Sequence, residues 1–161
     1  MASRSMKHQL YVEDCRIGIG KLPDESIDLV LTGPPYFDHV VYSRDRGNLS
    51  TKKYGEYLDS MREVWKVVAP KMKEGGILAF WVHDIYTKNS PRSNLGEKGA
   101  PFRLMPLHAD LVRTLPDALT LRHIIPWDRY LTRTHETLPD NEQFGTRLQY
   151  LVIASKGVTL Y

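Results

Sequence analysis

The chain of 161 residues holds one cysteine, Cys15. A lone thiol excludes an intramolecular disulfide and a multi-cysteine zinc site. No apolar run approaches the roughly 18–20 residues that span a bilayer, so no membrane partner is expected. Residues 1–7 are polar and lack the apolar core of a secretory signal, which makes a cytoplasmic location the expectation. Neither sign of charge dominates: 22 Lys and Arg stand against 19 Asp and Glu, a formal net charge of +3. That balance permits a nucleic-acid surface without demanding one. Internal repeats and low-complexity tracts are also lacking. What is present is an ordinary globular composition, 42% hydrophobic and 25% charged. It excludes whole-chain disorder, and the length suits one domain, 1–161, with a core of its own.

Hydrophobic patterning orders the chain. Gln9–Glu13 is a short strand candidate. Ile27–Thr32 is a stronger one, a near-continuous apolar run of the kind expected for a strand covered on both faces. Pro23, Asp24 and Glu25 turn the chain into it, and Gly33, Pro34 and Pro35 end it, because proline cannot donate to a ladder. Phe37–Lys53 has no apolar periodicity and reads as an exposed loop. Tyr54, Leu58, Met61, Trp65 and Val68 recur at helical spacing, with Tyr57 and Val64 on the same stripe. This predicts an amphipathic helix of about four turns, ended by Pro70 and Gly75-Gly76, with Met61 and Trp65 in the core. Ile77–Val82 is a second buried strand, with His83 and Asp84 as its polar end. Met105–Leu115 reads as a helix carrying Pro106 in its first turn. Leu121–Trp127 and Leu148–Ala154 are the last strands. Pro126 suits an edge, and with no helix between them the two are expected to pair antiparallel. The alternation gives an α/β sheet with helices on its faces. The histidines have no metal-ligand spacing, and Cys15 reads as a packed residue.

The chemistry lies in Asp28-Leu-Val-Leu-Thr-Gly-Pro-Pro-Tyr36. Ligands of open α/β sheets bind at the carboxyl ends of strands. Here a strand ends there in a rigid turn and two aromatics, Tyr36 and Phe37. The prolines fix the backbone and leave the Gly33 and Pro34 carbonyls as acceptors. An adjacent aromatic offers a stacking face. The combination suits a flat, amine-bearing group such as a nucleobase.

This segment resembles the DNA amino-methyltransferases, in the subclass whose catalytic motif precedes the cofactor motif. Their signature is Asp, Asn or Ser, then Pro-Pro, then Tyr, Phe or Trp. The similarity runs from about residue 8 to residue 157. Asp14-Cys15, Leu22-Pro23-Asp24 and Ser26-Ile27-Asp28 resemble the family's lead-in. Tyr57-Leu58 to Gly75-Gly76 resembles its next helix, and Ile124-Ile125-Pro126-Trp127 and Tyr150 to Lys156 its last strands. The resemblance implies a partial Rossmann-like methyltransferase sheet with an antiparallel C-terminal strand pair. It implies transfer of a methyl group from S-adenosyl-L-methionine to the exocyclic amine of cytosine or adenine in DNA, of the restriction-modification type, with the base flipped out of the duplex. Gly33, Pro34, Pro35 and Tyr36 would be catalytic, the Pro34 carbonyl drawing on the amine and Tyr36 stacking on the base. Asp14 and Thr32 would lie toward the cofactor, and Phe37, Arg44 and Arg46 toward substrate and phosphate.

Two departures stand out. Position 33 is Gly, so the motif's polar side chain is missing. The Phe-x-Gly-x-Gly cofactor motif, expected after the last strands, is absent. Without a cofactor strand beside it, Ile27–Thr32 is expected to present an open apolar edge that invites another chain. The expectations are therefore a fragment of a longer enzyme, a split enzyme completed by a companion chain or a homo-oligomer, or a relic whose gap Gln9–Glu13 closes. The alternatives to DNA methylation are methylation of a planar nitrogen in RNA or protein, and a non-catalytic DNA-binding or scaffold subunit.

Overall fold

A computed structural model describes residues 8–37, 42–43, 47–87, 103–128 and 148–157. Helix α1 (Cys15–Gly20) leads into strand β1 (Ile27–Thr32). A 3-10 turn (Leu49–Thr51) precedes the long helix α2 (Tyr54–Lys71), which runs straight into β2 (Met72–His83). The short strands β3 (Ile85–Thr87) and β4 (Arg103–Met105) pair with each other and lead to helix α3 (Leu107–Val112). Strands β5 (Leu119–Asp128) and β6 (Leu148–Lys156) complete the main sheet. Its order is β1-β2-β6-β5, with β1 parallel to β2 and β6 antiparallel to both its neighbours.

One face of the sheet carries the core. The register pairs Leu78 with Ala154 and Phe80 with Val152, so these four share a face, and all are fully buried. The apolar stripe of α2 covers them, with Trp65 stacked on Phe80 at 5.4 Å. Leu107 and Leu111 of α3 fill the rest. Burying each such large side chain contributes about 1.5–3 kcal/mol. The Trp65 indole would lose its hydrogen bond to water there, and Thr114 Oγ1 accepts it at 3.0 Å. Both α2 and α3 thus pack on this face.

The opposite face departs from the expectation of a strand covered on both sides. Leu29 pairs with Ile77 and Leu31 with Ala79, and Trp81 pairs with Leu151. Leu29 and Leu31 are 57% and 70% exposed, and Ile125 and Trp127 are 46% and 43% exposed. The apolar run is real, but no described helix covers its second side. As expected, β1 is an edge strand, and β5, which carries Pro126, is the other edge.

Several boundaries also differ. Gln9–Glu13 is not a strand: Leu10 and Val12 are exposed and make no ladder, so nothing closes the β1 edge from within the described chain. Asp14 instead starts α1 by accepting the Arg16 amide at 2.9 Å. Cys15 heads that helix as an exposed thiol rather than a packed one. Gly75-Gly76 do not end a helix. They carry a bulge within β2, Gly75 at φ +75°, and a Cβ on Gly76 would come within 3.0 Å of the Ile27 carbonyl, so only glycine fits. Met105 belongs to β4, and α3 begins only after Pro106. The segment after Phe37 is not uniformly exposed either, since Asn48 and Ser50 are buried and bonded to each other at 2.8 Å. No described helix is long and apolar enough to cross a membrane.

Candidate active site

The carboxyl end of β1 meets the carboxyl end of the parallel strand β2. There Thr32 pairs with Phe80, so Gly33 to Tyr36 lie level with the last residues of β2. Gly33 is exposed. A Cβ there would approach nothing nearer than the Trp81 carbonyl at 4.0 Å, so the backbone is open to a ligand and glycine is not required by sterics. Pro34 is buried and Tyr36 half-buried.

Two tyrosines hold this turn. Tyr57 of α2 donates its hydroxyl to the Pro35 carbonyl at 2.9 Å, and the Tyr36 amide donates to the Tyr42 hydroxyl at 3.4 Å. The Pro34 carbonyl has no hydrogen-bond partner among the described residues. Burial pushes the Tyr57 phenol well above its ordinary range, which keeps it a donor at neutral pH. Phe37 is different from expectation. It is fully buried against Tyr54 and Tyr57, with ring centroids 5.0 and 5.7 Å away. Its ring anchors the turn to α2 and has no face left for a substrate.

The other expected residues scatter. Thr32 shares the helix-covered face with Phe80. Asp14 stands at the start of α1, where both carboxylate oxygens take Arg16, at 3.0 and 2.6 Å from its side chain. Arg16 holds that carboxyl down at about 2, chiefly through the side-chain hydrogen bond and then through its amide. Arg44 and Arg46 lie outside the described residues.

A group beyond the motif completes the rim. His83 packs on Tyr36 with ring centroids 4.1 Å apart. Its neighbour Asp84 is buried and binds the Nδ1 of His108 at 2.6 Å and the His108 amide at 3.3 Å. Asp84 thus caps α3, which Pro106 cannot do. The imidazole of His108 stacks on Tyr150 at 3.9 Å and 19°. By sequence alone His83 and Asp84 are the polar end of a strand. The pairing with His108 joins positions 24 apart, with no local pattern to announce it. Among the described residues, no group of His, Cys, Asp or Glu could hold a metal ion.

No protein-family model matches the chain, and no curated protein matches it by sequence. Its fold is similar to that of solved methylases. A candidate DNA modification methylase of Thermus thermophilus, TTHA0409, complexed with S-adenosyl-L-methionine, superposes with a TM-score of 0.66 at 24% identity. The match covers 96% of this chain and 56% of that one. The cytosine-N4-specific PvuII DNA methyltransferase gives a TM-score of 0.63 at 21% identity, covering 91% of this chain and 48% of that one. The chain has their Rossmann-like α/β sheet and spans about half their length.

Proposed function

We propose that this chain is the target-base half of an S-adenosyl-L-methionine-dependent DNA amino-methyltransferase, acting on cytosine or adenine and completed by a companion lobe. The observation that carries the reading is the Gly33–Tyr36 turn, clamped through Pro35 by Tyr57 while the Pro34 carbonyl is left as an acceptor. A carbonyl beside an aromatic ring recognises a flat amine, and base–aromatic stacking contributes about 1–3 kcal/mol.

The residues present fit one wall of a cofactor site. Gly33 leaves backbone accessible at the end of β1, with Thr32 beside it. The glycine loop that would make the other wall is not among the described residues. Bound there, the cofactor supplies an electrophilic methyl group. The chain's own residues hold the acceptor amine: the Pro34 carbonyl takes one N–H, which favours a more tetrahedral and reactive nitrogen, and Tyr36 fixes the ring. The companion lobe, in one polypeptide or two, adds a strand to the β1 edge and covers Leu29, Leu31 and Trp127. An apolar face beside an open parallel edge is suited to such an occupant, and the neighbour complexed with S-adenosyl-L-methionine is nearly twice as long.

Gly33 favours a second reading. Without the motif's polar side chain, the chain would be a DNA-binding or scaffold subunit derived from such an enzyme. Transfer of labelled methyl to DNA by the completed assembly separates the two. Tyr36→Ala abolishes transfer under the first reading. Under the second there is no transfer to lose, and only a salt-dependent DNA affinity is measured. Offering RNA or protein as the acceptor tests other planar nitrogens. Calorimetric titration of the isolated chain with S-adenosyl-L-methionine then tells whether the companion lobe is needed for the cofactor.

A further inference from the structure

We propose that His83 is the positioning residue of Tyr36, holding its ring in the orientation on which a target base stacks. The proposal rests on the reading of the Gly33–Tyr36 turn as a base site.

Three observations carry it. First, the hydrogen bonds that clamp the turn act on the main chain. Tyr57 donates to the Pro35 carbonyl at 2.9 Å, and the Tyr36 amide donates to Tyr42 at 3.4 Å. Neither bond sets the two side-chain torsions that aim the Tyr36 ring. Second, His83 lies against the ring itself, with centroids 4.1 Å apart and planes at 53°. Third, His83 is fixed in place. Its backbone stands opposite Gln149 in the ladder of β2 and β6, and the residue is only 5% exposed. The next residue, Asp84, is buried and accepts the His108 amide at 3.3 Å, which ties this strand end to α3.

Burial along β2 agrees with this. Alternation puts Ile77, Trp81 and His83 on the side of the sheet that no described helix covers. Ile77 and Trp81 are half-buried there, whereas His83 is buried, and the Tyr36 ring is part of its cover. A residue that only filled space would need volume and no particular shape. A residue that aims a neighbouring ring needs a flat face, and the aromatic pair so formed favours one arrangement over others by about two- to tenfold. A ring already aimed before the base arrives loses less freedom on binding, which raises affinity without any new contact to the base. His83 thus acts through Tyr36 and not on the base itself.

Strand binding by the whole chain tests this without requiring turnover. The probes are short single strands of DNA with one cytosine or one adenine flanked by abasic nucleotides, and wholly abasic strands of the same length. The quantity read is the preference for the base-bearing strands. His83→Leu, which keeps the volume and loses the flat ring, should lower that preference by about two- to tenfold. His83→Phe, which keeps a flat ring, should retain it, and in a Tyr36→Ala background His83→Leu should change nothing. In the parent chain, through-space proton signals between the two rings should persist when a base-bearing strand is bound, a measurement that needs no variant to fold. If Tyr36→Ala removes the preference while His83→Leu keeps it, if His83→Phe loses as much as His83→Leu, or if the signals between the rings vanish on binding, the proposal is overturned and the base site stands. If the chain shows no preference for base-bearing strands, or keeps it in Tyr36→Ala, the base site falls and the proposal falls with it.

Discussion

The two faces of the sheet are built from the same strands, one residue out of phase, and they have opposite fates. On one face Leu78, Phe80, Val82, Val152 and Ala154 are sealed under α2 and α3. On the other, Leu29, Leu31, Ile125 and Trp127 stay exposed while being just as apolar. A surface needs no large apolar residues at alternate positions for solubility, and among the described residues nothing covers this second apolar face. The described core lies on one face, and the exposed apolar residues of the strands lie on the other.

The largest effects should fall on the covered face. Phe80→Ala removes a fully buried ring stacked on Trp65 and should cost about 3–5 kcal/mol in denaturant unfolding. Trp127→Ala, whose ring touches Trp81 at 5.0 Å but is 43% exposed, should cost under about 1.5 kcal/mol, the worth of an aromatic pair. Equal losses would mean that the second face is already covered, by self-association or by residues outside those described, and the contrast would fail.

Association should follow the other face. Leu31→Lys places a charge at the open edge and should change unfolding by only about 0.5 kcal/mol. The same substitution should weaken capture of the companion lobe, or self-association where that occurs, by tenfold or more, read by light scattering or by titration. Unchanged association would remove the β1 edge from the interface.

Much of this was legible because periodicity reports burial. The stripe from Tyr54 to Val68 and the runs 77–82 and 148–154 each state a covered side. Periodicity does not say whether the second side of Ile27–Thr32 has a cover, because Leu29 and Leu31 look alike buried or bare. Helix α1 was hidden because six residues with two glycines have no stripe, and its only signal was Asp14 as a cap. The Pro-Pro-Tyr turn could be read from local chemistry, since proline and a strand end act at the spot. Phe37 could not: its anchoring depends on Tyr54 and Tyr57, which arrive 17 and 20 residues later. Asp84 and His108 meet only because β2 and α3 are brought together at the rim.

A smaller effect probes the clamp between the covered face and the candidate site. Tyr57→Phe keeps the buried ring and removes its bond to the Pro35 carbonyl. It should cost about 0.5–1.5 kcal/mol and weaken binding of a base-containing strand without moving the Trp127 face. Burial also holds the Tyr54 and Tyr57 phenols above their ordinary range. A raised folded value means stability that is complete below about pH 10 and is lost as pH rises beyond it. Absorbance titration at alkaline pH should therefore show these two phenols ionising only as the chain unfolds. Early ionisation would place the clamp in solvent.

The smallest effect lies outside both faces and serves as a control on them. Asp14 is held at about 2 against an ordinary 3.8, first by the Arg16 side chain and then by its amide. A lowered folded value gives stability that is present above about pH 4 and is lost as pH falls toward 2. The carboxylate is 38% exposed, so screening leaves the pair roughly a few tenths of a kcal/mol. Asp14→Asn keeps a capping oxygen and removes the charge. It should therefore lower stability slightly at pH 7 and match the parent at pH 2, in parallel urea titrations. Because α1 packs on α2, the same change should leave association through Leu31 untouched. A change in that association would mean that the start of the chain also contributes to the cover of the second face.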